Sequence, residues 1–237
     1  MFNECYFLKT ITIPNSVIEI GNEAFKYCSS LKTITIPDCV TTIGDSAFSG
    51  CWSLKRIQIP NLVLNIGESA FYRCESLQYV KISNNVEFIP VEAFYGCTSL
   101  TKVDIPLRVS TIGSRAFEGC YSLENIDLWS ISKICSSAFR DCKSLKSIVL
   151  PELDGGIKIG RGAFAACESL ESIELSKSVN SIGKFAFYGC KSLEAICVPD
   201  GTREYFEQML MNPMDYDDLD DDLMKEFEID DENEKEN

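Results

Sequence analysis

Two stretches of this chain, SLKTITIPDCVTTIGDSAFSGC (Ser30–Cys51) and SLKRIQIPNLVLNIGESAFYRC (Ser53–Cys74), are near copies offset by 23 residues. Aligned on the Phe of an Ala-Phe step, the copy recurs at Phe25, Phe48, Phe71, Phe94, Phe117, Phe139, Phe164 and Phe187. The intervals are 23, 23, 23, 23, 22, 25 and 23 residues. A Cys follows each Phe by three residues, from Cys28 to Cys190, and a Ser-Leu pair follows each Cys. A unit this short cannot bury its own apolar face. Successive units must therefore stack, each covering its neighbour, as in a solenoid.

One unit shows how. LKTITIP ends in strict alternation, the two-residue period of a half-buried strand, so Ile34 and Ile36 point inward and Thr33 and Thr35 outward. Pro37 has no amide hydrogen and ends the ladder. VTTIG is a second short extended piece, with Val40 and Ile43 inward and Gly44 permitting a turn. DSAF reads as an N-capping Asp or Ser opening one helical turn, closed by SGC. Stacked coils then pair their strands in parallel, and inward Leu, Ile, Val, Ala, Phe and Cys make one continuous core.

The pattern resembles the BspA-like leucine-rich repeats, whose units read roughly LxxIxIPxxVxxIGxxAFxxC. The likeness covers about residues 2–199 and recurs eight times. It implies a repeat solenoid of the leucine-rich-repeat type, with parallel β-strands on one face, a second short strand and a single helical turn per coil. Eight to nine coils are expected over residues 1–199, the first one truncated. Proteins of that family form curved solenoids used for protein binding and adhesion, often on the surfaces of bacteria and protists. The family shares no catalytic residues, so none is carried over.

Two coils depart from the pattern. Coil 121–142 is one residue short, and Trp129 stands where Pro usually ends the strand. The next coil, PELDGGIKIGRGAF, is two residues longer, with Gly155-Gly156 in the insertion. Irregular coils bend a solenoid locally, and drift in a tolerant turn produces them as readily as function does. Nine of the twelve Cys, counting Cys5, fall on one ladder. Equivalent side chains in adjacent coils point the same way rather than toward each other, and close CxxC pairs for zinc are missing. The ladder reads as small buried hydrophobes, with metal binding the remote alternative. Free thiols in this number fit a reducing compartment.

Near its end the chain leaves the repeat. Residues 200–213 are expected to form a capping helix over the last coil, with Asp200 or Thr202 as N-cap and Pro213 as its stop. Residues 214–237 form an acidic tail whose charge density points to disorder, although Tyr216, Leu219, Leu223 and Phe227 recur at helical spacing. Of the net charge of −14, residues 200–237 hold sixteen Asp or Glu against three Lys or Arg, a net −13, so the solenoid itself is nearly balanced. Neither part offers the basic surface that nucleic-acid binding needs. No apolar run reaches the length of a membrane span, and the start is not a secretion signal. The chain contains no histidine, which removes the usual general base and the commonest nitrogen ligand for zinc.

These features point to a non-catalytic scaffold for protein–protein interaction, without metal or cofactor, in the cytoplasm. One alternative is a fragment of a longer cell-surface adhesin of the same family; another is an enzyme using carboxylate chemistry. Partner-binding candidates are the outward residues of the middle strands: Arg56, Tyr79, Lys81, Lys102, Asp104, Asn125, Asp127 and Trp129. Aromatic and Arg residues among mixed charges are the composition that anchors protein interfaces. Stacking is expected to place Tyr79, Lys102 and Asn125 in one row and Lys81, Asp104 and Asp127 in the next. Phe2 aligns with the Ala-Phe position, so the N-terminal edge is uncapped and a candidate for self-association.

Overall fold

In the computed structural model, which describes residues 2–204, each repeat makes one coil of a parallel β-solenoid. One face carries strands β1 (Thr10–Thr12), β3 (Thr33–Thr35), β5 (Arg56–Gln58), β7 (Tyr79–Lys81), β9 (Lys102–Asp104), β12 (Ser147–Val149), β14 (Ser172–Glu174) and β16 (Ala195–Cys197). A second face carries β2 (Glu19–Ile20), β4 (Thr42–Ile43), β6 (Asn65–Ile66), β8 (Phe88–Ile89), β10 (Thr111–Ile112), β11 (Lys133–Ile134), β13 (Ile157–Ile159) and β15 (Val179–Ile182). Equivalent residues pair in register: Thr10 with Thr33, Arg56 with Tyr79, Thr42 with Asn65. Inward Leu31, Ile34, Ile36, Val40, Ile43, Ala47, Phe48 and Cys51 are buried, whereas Thr33 and Thr35 are exposed. The expected capping helix lies mostly, and the acidic tail wholly, outside the described residues.

The segment around each Phe takes a form that a helical turn only approximates. Alternate amides bond within the coil, three residues back: Ala24 to Gly21, Lys26 to Glu23 and Cys28 to Phe25. The amides between them donate across to the next coil, Glu23 to Asp45, Phe25 to Ala47 and Tyr27 to Ser49, at 2.7–2.8 Å. This alternation needs a left-handed residue two before and two after the Phe. Glu23 (φ 56°), Tyr27 (φ 59°), Ser46 (φ 51°) and Gly50 (φ 72°) supply it. A helix would direct all these amides along one coil. The alternation sends half of them to the neighbour, so the turns are stitched together as firmly as the strands. The expected N-cap likewise works between coils, since the Asp45 carboxylate accepts the Glu68 amide of the next coil at 2.8 Å.

Inside this seam run two ladders. From Phe25 to Phe164 successive rings lie 5.3 Å apart with planes within 2–8° of parallel. Each ladder thiol from Cys28 to Cys190 donates to the Phe carbonyl of the preceding coil at 3.1–3.3 Å. The cysteines are therefore hydrogen-bond donors as well as small apolar fillers. All twelve are free thiols.

The short coil interrupts one face. The first face is made of the sheets β1-β3, β5-β7-β9 and β12-β14-β16, and the gap between the last two falls at this coil, where no strand forms at 125–127. The cause lies in the turn. Val109 donates its amide to Pro106, and the corresponding amide of Ile131 donates to Leu128. Leu128, not Trp129, thus occupies the position where Pro ends other strands. The missing residue was taken from the strand, and Trp129 is the first residue of the turn beyond it. The second face runs straight through this coil as β8-β10-β11-β13-β15. In the long coil the insertion leads into β13, and the register against β15 shifts between Ile157 and Lys158.

Candidate protein-binding face

Parallel register decides which candidate side chains meet. Arg56, Tyr79 and Lys102 form one outward row, and Gln58, Lys81 and Asp104 the row beside it. Five candidates therefore share the sheet β5-β7-β9. The Tyr79 hydroxyl donates to the Asp104 carboxylate, and Lys102 Nζ lies 3.2 Å from the same group. The Tyr79 hydrogen bond, then Lys102, holds the Asp104 carboxyl below the usual carboxylate range, and the same bond raises the Tyr79 phenol. This tethers a half-buried aromatic ring to the face, with Arg56 and Lys81 exposed in the neighbouring positions.

The other three candidates lie off that sheet. Asn125 and Asp127 are exposed on the short coil without ladder partners, so the two rows stop at Lys102 and Asp104. Trp129 is 61% exposed, and therefore fills no gap in its coil. It shares the first turn position with Leu107 of the preceding coil, which is 75% exposed. Together they put two large apolar side chains at the margin of the face.

Two further groups were not anticipated from the sequence. On the turn ridge, Tyr72 and Tyr95 stack at 4.8 Å, and the Arg115 guanidinium lies 4.9 Å from the Tyr95 ring centre while pairing with Glu92 and Glu118. Beside the strand face, Lys9, Lys32 and Lys55 form a third row, each in the position preceding its strand. The signal for that row was present: Lys follows the Leu of the repeat in SLK at Leu31 and Leu54, one period apart. Among the described residues no group of three or more Cys, Asp or Glu is placed to hold a metal ion, and no helix is long and apolar enough to cross a membrane.

Comparison with known proteins bears on the architecture. The model of the BspA type leucine rich repeat region matches in six copies, over residues 1–124, 65–157 and 110–215. No curated protein matches the sequence. Among solved structures, a leucine rich cell surface protein from Faecalibacterium prausnitzii is 33% identical with a TM-score of 0.57, over 90% of this chain and 65% of that one. A leucine rich repeat protein from T. pallidum is 28% identical with a TM-score of 0.60, over 84% of this chain and 86% of that one. One from Eubacterium ventriosum is 28% identical with a TM-score of 0.61, over 81% of this chain but only 45% of that one. The chain thus spans less than two thirds of the first and third of these proteins.

Proposed function

Because the chain belongs to the BspA-type leucine-rich repeat family, we propose that it is a non-catalytic scaffold that binds a protein partner through the β5-β7-β9 face and the adjoining short coil. The observation that carries this reading is the row Arg56–Tyr79–Lys102, held in register by the ladder, with the Tyr79 ring fixed by Asp104. A rigid aromatic and an Arg on a preformed surface anchor a partner at low entropic cost. Asn125, Asp127 and the exposed Trp129 extend the surface along the stack as an adaptable margin. The test is capture of partners from the source cell, followed by affinity measurements with Tyr79→Ala, Trp129→Ala and the control Thr33→Ala. The first two should each weaken binding by roughly 1–3 kcal/mol and the third should not. A partner indifferent to both, with the fold intact, would place the interface elsewhere.

A second reading concerns location. The Faecalibacterium relative is described as a cell surface protein, which favours the surface alternative for this chain, whereas twelve free thiols favour a reducing compartment. Labelling intact source cells with a membrane-impermeant amine reagent separates the two. A labelled chain is at the surface, and an unlabelled one that becomes labelled only on lysis is inside.

A further inference from the structure

Charge is distributed unevenly along the strand face. On the three outward rows of the first four coils stand Lys9, Lys32, Lys55, Arg56 and Lys81, with no carboxylate among them. On the same rows of the last three coils stand Glu171, Glu174 and Glu194, with Lys146 the single cation, and the short coil before them exposes Glu124 and Asp127. The Lys32 amide donates to the Lys9 carbonyl and the Lys55 amide to the Lys32 carbonyl, so these three residues sit directly above one another. At a coil spacing of about 4.8 Å, three stacked ammonium groups repel. None of Lys9, Lys32, Lys55 and Arg56 makes an ion pair among the described residues, and Lys81 faces an Asp104 already engaged by Tyr79 and Lys102. Beside this basic line the same coils expose aromatic rings: Tyr6, Phe7, which is 90% exposed, and Trp52.

The basic half of the face therefore calls for an anionic chain that also carries apolar side chains, and the protein contains one. Residues 215–232 hold eleven Asp or Glu against one Lys, interleaved with Tyr216, Leu219, Leu223 and Phe227. Reach permits the match. From β16 to the coil of Lys55 and Arg56 is six coil steps, about 29 Å at that spacing. The eleven residues from Glu204 to Asp215 span up to about 36 Å when extended. The acidic half of the face, which lies nearer, repels the segment. We infer that residues 215–232 dock in cis on the face formed by Lys9, Lys32, Lys55, Arg56 and Lys81, with the exposed aromatic rings receiving its apolar side chains. Tethering supplies the high local concentration that so charged a contact needs. This contact overlaps the partner-binding face proposed above but does not depend on that reading.

The experiment uses the full chain, as an equal mixture of 15N-labelled and unlabelled protein at low concentration. A zero-length carbodiimide joins carboxylates to neighbouring amines, and the linked peptides are mapped by mass spectrometry. Links from 215–232 to Lys9, Lys32, Lys55 and Lys81 should exceed those to the exposed Lys177 and Lys191 by at least about five-fold, although the latter lie nearer the start of the segment. They should join peptides of one isotope only and vanish in 1 M salt, where the screening length falls to about 3 Å. Arg56→Glu removes no amine, yet should cut the links to Lys32 and Lys55 by about five-fold. Links concentrated at Lys177 and Lys191, or unchanged by Arg56→Glu, would overturn the proposal. So would mixed-isotope links, which mark a second copy supplying either its tail or Glu171, Glu174 and Glu194.

Discussion

A thiol at the ladder position closes a hydrogen bond and fills the core, and burial fixes its charge state. Cys97 donates to the Phe71 carbonyl at 3.2 Å, and burial pushes its pKa from 9.0 up to about 12. The thiol must stay neutral in the folded chain, while the unfolded chain ionises it above pH 9. Stability from this group is therefore complete below pH 9 and is lost as the pH rises from 9 towards 12. Between pH 8 and pH 10 the loss is about 1.4 kcal/mol for such a thiol. Denaturant titrations of the parent chain and Cys97→Ala at both pH values isolate it. The pH-dependent loss should be smaller in the variant by about that amount, and equal losses would mean that the thiol reaches solvent. The core residues were legible in the sequence, since alternation and a 23-residue period together assign an inside and an outside. The donor role of the cysteines was not. It depends on where the Phe carbonyl points, and that direction is set by left-handed residues such as Glu23 and Ser46, which are neither Gly nor Asn.

Elements tolerate irregularity unequally. Loss of one residue before Leu128 abolished a strand, because a three-residue strand has no length to spare. The sequence showed the deletion but not whether strand or turn would absorb it, so the rows predicted through Asn125 and Asp127 stop one coil early. The two extra residues of the next coil were absorbed in a turn. There Gly156 has φ of +80°, and a Cβ would lie 2.4 Å from the Asn180 side-chain nitrogen, whereas Gly155 has nothing within 4 Å. Gly156→Ala should destabilise the chain by about 1–3 kcal/mol through strain, and Gly155→Ala by less than about 0.5 kcal/mol. Thermal denaturation of both variants measures the difference. Equal effects would show that the insertion rearranges freely and takes no part in positioning β13.

At the scale of the whole molecule, stability passes only between neighbouring coils, so the weakest junction decides how the array comes apart. Every described junction has the seam of turns, the ring stack and at least one strand ladder, and three have both ladders: β1-β3 with β2-β4, β7-β9 with β8-β10, and β12-β14 with β13-β15. Among the described coils, 121–142 alone has no first-face strand, so that ladder is missing on both of its sides, and β11 with the Phe117–Phe139–Phe164 stack carries much of what is left. Phe139 is fully buried there, as Phe94 is within the unbroken sheet. Truncating either ring to Ala should cost roughly 3–5 kcal/mol, but the consequences should differ. With Phe139→Ala the junction becomes the point of separation, and the coils carrying Phe164 and Phe187 should open before those carrying Phe25 to Phe117. With Phe94→Ala the loss sits inside a run of coupled coils and should lower the stability of that run as one unit. Hydrogen exchange in urea below the unfolding transition distinguishes the two. In Phe139→Ala the amides of β14 should exchange well ahead of those of β5 and β7. In Phe94→Ala, β5 and β7 should be the strands accelerated. Identical exchange patterns in the two variants would show that the second face alone couples the array across its short coil, and that the broken sheet is no hinge.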